Sequence, residues 1–269
     1  MAVTEFQNAI LRLLAENRRQ VPGSYVAGGT ALNLSLDAPR LSRDIAVFHD
    51  SVEALFDSWH RDRQTLESHG FVVNPLRELP TFIEAEILRE GRRTELQWGV
   101  DSAYRFFPLV EDERTGLTLH PLDLAANKLA ALVGRTEPRD WVDVITASQR
   151  LQPLACLLSA ACGKDPGFSP VSMLEYVARR HYNQVELDDN LSPKGVYDAA
   201  VLCRYWHETV ESTRRVLDTF PHAAAGKAVM TAAGELFRGT DDELVAALKA
   251  NALTFHEGHI GGAWPRIIR

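Results

Sequence analysis

Apolar positions recur along this chain with two periods, and the change from one to the other divides it. Over 4–19, Phe6, Ile10, Leu13 and Leu14 share one side of a helix, and Thr4 stands where a cap belongs. Residues 24–27 form a short β-prone run that stops at Gly28-Gly29, and 30–36 reads as a brief helix starting directly afterwards. A strand is predicted at 44–48, a helix at 51–68, and three more strands at 71–76, 81–88 and 94–98. Gly91, between Glu90 and Arg92, marks a hairpin turn joining the last two.

Beyond Pro121 the spacing turns helical almost throughout. Pro121 suits a first helical turn, and Leu122, Ala125, Leu129 and Leu132 make one apolar stripe. Further helices are predicted at 139–149, 171–181, 195–218, 223–237 and 241–252. The Gly/Pro-rich stretch 163–170 reads as a loop, and 254–269 shows no clear period. The predicted class is therefore α/β (α+β): a mixed sheet with flanking helices over 1–120, then a helical half over 121–269.

Composition narrows the picture. A chain of 269 residues, 45% hydrophobic and 24% charged, can bury an ordinary core without disulfide staples. Its three cysteines, Cys156, Cys162 and Cys203, fit no zinc spacing and point to packed thiols in a reducing compartment. A net charge of −7 argues against broad, non-specific DNA binding, while leaving room for a local basic groove. No apolar run is long enough to span a bilayer, and the N-terminal stretch is amphipathic rather than signal-like. A cytoplasmic protein with no membrane partner is expected.

The chemistry concentrates in Val26-Ala27-Gly28-Gly29-Thr30-Ala31-Leu32 and Arg40-Leu41-Ser42-Arg43-Asp44-Ile45-Ala46. Two glycines between a strand and a helix let backbone amides approach a phosphate, and the helix start adds partial positive charge. Thr30 contributes a hydroxyl. Residues 44 and 46 alternate along a strand and share a face. Two carboxylates there would hold a pair of magnesium ions against a triphosphate, but position 46 is alanine.

Gly-Gly-Thr-Ala-Leu followed by Arg-x-Ser-x-Asp-Ile-x resembles the first motif of the AbiEii/MenT nucleotidyltransferase toxins, within the DNA polymerase β-like superfamily. Glu95-Leu96, Arg105-Phe106-Phe107-Pro108, Leu119 to Leu124, Asn127-Lys128 and Arg135-x-x-x-Arg139-Asp140-x-x-Asp143 recur in the same order, so the resemblance covers 25–150. It implies a nucleotidyltransferase fold. Gly28, Gly29, Thr30, Ser42 and Arg43 would bind nucleotide, and Lys128 would meet the triphosphate from the helical half. Asp44 would be a metal ligand. Glu95 is the candidate third carboxylate, as ligand or base, with Asp101 in reserve. Asp140 or Asp143, at i and i+3, would reach the site or orient Lys128 or Arg139.

The family pattern is Asp-x-Asp, and Ala46 departs from it. A methyl group neither ligates magnesium nor offsets phosphate charge, so this chain is expected to be impaired. Either the site has lost a ligand or draws on another carboxylate, or a native aspartate was replaced to make an active toxin expressible. The complete flanking motifs favour replacement. The implied activity is transfer of a nucleoside monophosphate from an NTP, with Mg2+, to an acceptor, a tRNA 3′ end ahead of a protein hydroxyl. The implied setting is toxin–antitoxin or phage defence, with a separately encoded antitoxin that need not bind stably. The alternatives are an inactive nucleotide-binding module and a small-molecule, antibiotic-type nucleotidyltransferase. His256 and His259 read as a surface tail rather than a metal site. Arg92, Arg93, Arg179, Arg180, Arg214 and Arg215 read as solvated faces, available to an RNA backbone if one docks.

Overall fold

The computed structural model describes residues 2–265. Backbone contacts divide the chain into two units: residues up to Ala103 with Pro108–His120, and Tyr104–Phe107 with the chain from Pro121 onward.

The first unit runs α1 (Glu5–Gln20), β1 (Ser24–Ala27), α2 (Gly28–Ser35), β2 (Asp44–His49), α3 (Val52–Ser68), β3 (Val72–Leu79), β4 (Phe82–Arg89) and β5 (Arg92–Val100). β6 (Tyr104–Arg105) falls in the second unit, and β7 (Val110–Asp112) with β8 (Gly116–Thr118) returns to the first. Seven of these strands form one sheet in the order β3-β4-β5-β2-β1-β8-β7. It is mixed: β2 runs parallel to β5 and β1 to β8, while the other neighbours are antiparallel.

Alternation gives this sheet one dry face. Ile45, Val47 and His49 of β2, Ile83, Ala85 and Ile87 of β4, and Leu96 and Trp98 of β5 are buried. They meet the apolar sides of α1 and α3, with Trp59 and Trp98 edge to face at 4.8 Å. An ionic knot lies in this layer. Asp62 of α3 accepts from Arg18 of α1, from the Trp98 indole at 2.7 Å and from Asn17 at 2.9 Å. Such a buried carboxylate needs these partners to offset its desolvation. The other face of β2 and β5 carries Asp44, Ala46, Phe48, Glu95 and Gln97, each half-buried or exposed. The long edge strand β3 is interrupted by a bulge between Pro75 and Arg77, which spoils its ladder for further pairing.

The second unit adds α4 (Pro121–Gly134), α5 (Pro138–Arg150), α6 (Leu154–Lys164), α7 (Pro170–Val177), α8 (Gln184–Asn190), α9 (Ala199–Leu217) and α10 (Asp241–Lys249). The helix predicted at 223–237 is not there. A 3-10 turn (His222–Ala224) is followed by β9 (Lys227–Thr231), and Gly226 between them has φ of +81°, outside helical backbone. Ala228, Val229 and Met230 are buried as a strand. Strands also occur where the sequence shows no period: β10 (Leu253–Glu257) pairs with β9, and β11 (His259–Ile260) pairs with β6. α7 stops at Val177 and α9 starts at Ala199, both shorter than the predicted 171–181 and 195–218. Among the described residues no helix is long and apolar enough to cross a membrane.

Candidate active site

Strand β1 ends in the dry layer at Ala27, and the chain reverses at Gly28 with φ of +67° into α2. A Cβ at Gly28 would lie 3.2 Å from the Cβ of Ala46, so the glycine turn rests directly on position 46 of β2. No side chain caps the start of α2, which leaves its first amides without that internal acceptor. Thr30 is buried, and its hydroxyl donates to the Asp44 carbonyl at 2.7 Å. Its proton therefore fastens α2 to β2, and only lone pairs remain for another partner. Asn33 donates to the Gly29 carbonyl at 2.6 Å and braces the turn from within the helix.

The carboxylates are placed by strand register. Asp44 is level with Glu95 on the parallel neighbour β5, and Ala46 is level with Gln97. Adjacent strands stand about 5 Å apart, so Asp44 and Glu95 project side by side from the open face. Gln97 donates to Glu84 of β4 at 2.9 Å, and Glu86 continues the Asp44–Glu95 row. Asp101 lies past the far end of β5, about 20 Å from Glu95 at the rise of an extended chain. One of its oxygens accepts from the Ser102 amide at 2.8 Å.

Among the described residues, no three His, Cys, Asp or Glu side chains converge as a metal site. Two oxygen-donor carboxylates at one level, Asp44 and Glu95, suit a single magnesium ion that keeps waters and takes phosphate oxygens as its remaining ligands. Beside them Ala46, level with Gln97, contributes a methyl and no oxygen donor.

Ser42 and Arg43 lead into β2. The Ser42 amide donates to the Ala2 carbonyl at 3.0 Å, while its hydroxyl is buried with no hydrogen-bond partner. Arg43 is exposed. Gln7, buried in α1, donates to the Ser42 carbonyl at 3.0 Å and contacts Thr94 of β5 at 3.2 Å. It also closes a capping box with Thr4, accepting from the Thr4 amide at 2.9 Å.

In the second unit, Lys128, Asp140 and Asp143 form one buried cluster. The Lys128 ammonium is 2.8 Å from Asp140 and 3.1 Å from Asp143, and Arg135 meets Asp140 at 2.6 Å. Burial pushes the Asp140 carboxyl up, and Lys128 with Arg135 outweighs that, holding it below the usual carboxylate range. Two ammonium protons are thereby directed at carboxylates, leaving one for a further acceptor. Both aspartates are buried partners of Lys128, not surface helix charges. Arg139 lies 3.6 Å from Glu137.

Asp123, the acidic residue in Leu122-Asp123-Leu124, escaped assignment from sequence. It is fully buried and accepts from the Phe106 and Phe107 amides at 2.9 and 3.2 Å, with Lys164 at 2.8 Å. The signal was its recurrence near Arg105-Phe106-Phe107-Pro108; the hydrogen bonds give the reason. His256 Nε2 lies 2.8 Å from the Phe106 carbonyl and 2.9 Å from that of Ala263, so it faces two acceptors and donates its proton there. Arg92 and Arg93 are paired with Glu90 and Glu86, and Arg214 with Glu175.

Residues 12–165, more than half of the chain, match the family model described as nucleotidyl transferase AbiEii toxin, type IV toxin–antitoxin system. No curated protein sequence matches the chain. Its fold is similar to that of JHP933 from Helicobacter pylori, with a TM-score of 0.52 and 18% identity, covering 80% of this chain and 95% of that one. Similarity to MenT4, a nucleotidyltransferase toxin from Mycobacterium tuberculosis, has a TM-score of 0.46 and 14% identity, over 78% of this chain and 84% of that one.

Proposed function

Because the chain belongs to the AbiEii family of nucleotidyltransferase toxins, we propose that it is built to transfer a nucleoside monophosphate from an NTP to an acceptor hydroxyl. The reading rests on one observation above all: Asp44 and Glu95 stand level on adjacent strands, with the Gly28 turn against position 46. Asp44 and Glu95 would hold Mg2+, which would draw charge off the reacting phosphate. Gly28, Gly29 and the start of α2 receive phosphate oxygens, while Thr30 keeps Asp44 in register with them. Ser42 and Arg43 support the same loop. Lys128, its ammonium held by Asp140 and Asp143, is the residue that the family resemblance would assign to the triphosphate. The acceptor we favour is a tRNA 3′ end, and the antitoxin is a separately encoded partner.

Ala46 makes this chain weak. Restoring Ala46→Asp places a carboxylate against the glycine turn and completes the ligand set, for a gain of roughly a hundredfold or more. The experiment incubates protein with total tRNA and each labelled NTP, as found and with Ala46→Asp. Labelled tRNA from the aspartate form supports the proposal; no labelling of RNA or protein by that form rejects it.

Ala46 itself favours a second reading, a module that binds nucleotide without chemistry. That reading requires NTP binding that is lost with Lys128→Ala, and no transfer gained with Ala46→Asp.

A further inference from the structure

The most exposed cation of the buried cluster in the second unit is Arg135, not Lys128. The Lys128 ammonium lies between Asp140 and Asp143, with 9% of its side chain exposed. Both aspartates are buried. Arg135, one residue past the end of α4, grips Asp140 side-on. Its Nε donates to Oδ2 at 2.6 Å and an Nη to Oδ1 at 3.2 Å, across the turn into α5. Half of the Arg135 side chain is exposed.

The charges explain what such a grip can do. Lys128 and Arg135 balance Asp140 and Asp143, so the two buried carboxylates are compensated within the cluster. A side-on pair takes two of the five N–H groups of a guanidinium and fixes its plane. Because Asp140 is fully buried, the exposed part of Arg135 lies on the side away from it. The other cations beside this turn are tied elsewhere. Arg139 is 3.6 Å from Glu137, and Arg180 donates to the Val133 carbonyl at 3.3 Å.

We propose that Arg135 is a substrate-contacting residue that meets the terminal phosphates of the NTP, aimed by Asp140, while Lys128 pairs with Asp140 from the buried side. This rests on the nucleotidyl-transfer reading, in which Asp44 and Glu95 with Mg2+ take the α-phosphate. A guanidinium held in one plane matches two oxygens of a single phosphoryl group. An RNA backbone calls for a row of cations, and the neighbouring arginines are already engaged. Lysine at 135 would keep the charge and lose the fixed fork.

The test is calorimetric binding of each NTP, the matching NMP and total tRNA to the full chain in Mg2+. The chain as found is compared with Arg135→Gln, Arg135→Lys and Lys128→Ala. NTP affinity should fall about tenfold in Arg135→Gln, with NMP and tRNA affinity unchanged, and Arg135→Lys should lie between. A folding defect would weaken all three ligands together, so the NTP-to-NMP ratio separates phosphate contact from a structural role. The proposal alone is overturned if Arg135→Gln binds NTPs as tightly as the parent, weakens NTP and NMP by the same factor, or weakens only tRNA. In each of those cases loss of NTP in Lys128→Ala still supports the nucleotide reading. No NTP binding by the parent chain overturns both.

Discussion

Two buried ionisable residues set how the chain responds to acid. Burial, reinforced by the charge of Arg18 and opposed by the Gly99 carbonyl, lowers the pKa of His49 to about 3. The unfolded chain takes up this proton near pH 6.5 and the folded chain does not, so stability falls as pH drops from there toward 3. The slope approaches 1.4 kcal/mol per pH unit, and His49→Asn should flatten it in urea titrations between pH 6.5 and 4.5. Asp140 acts lower on the scale. Its folded pKa lies below the unfolded value, so its contribution is complete above about pH 4 and is lost as pH falls through the folded value. Asp140→Asn should remove that acid limb and cost about 2–4 kcal/mol at neutral pH, because Lys128 stays buried with one carboxylate fewer. Gly28→Ala should cost about 1–2 kcal/mol in denaturant unfolding, since φ there is left-handed and the new methyl would press on Ala46. These residues were partly legible beforehand. The glycine pair, Asp44 and Lys128 follow from motif order, whereas the network around Lys128 joins helices α4 and α5 and needs their packing to be known.

At the scale of elements, local pattern served where one element buries one face. The alternation in β2 is of that kind. It failed at 223–237, where apolar residues with alanine imitate a helix but Gly226 turns the backbone and β10, some twenty residues later, supplies the ladder. The two-residue strands β6 and β11 carry no period at all and exist only as partners of each other. Asp123 shows the same long reach. Asp123→Ala removes the acceptor of two buried amides and the partner of Lys164. The amides of Phe106 and Phe107 should then lose their protection in hydrogen exchange, with about 3 kcal/mol of stability lost.

Taken whole, the molecule consists of two units that interleave along the sequence. Tyr104–Phe107 sits between segments of the first unit yet belongs to the second. Phe106 and Phe107 are buried there, against Asp123, His256 and their neighbours. Cutting at residue 120 therefore strips these two rings of their cover. A 1–120 fragment should bind a hydrophobic dye and aggregate, whereas the full chain should not; a soluble, dye-silent fragment would contradict this assignment.

This threading also constrains how such a molecule can be rearranged by descent. A single crossover near the middle of the gene would join a sheet to a foreign helical half while leaving it the wrong Tyr-Arg-Phe-Phe insert. The insert and Asp123 must travel together, so inheritance of the helical half is tied to four residues lodged within the stretch that encodes the sheet.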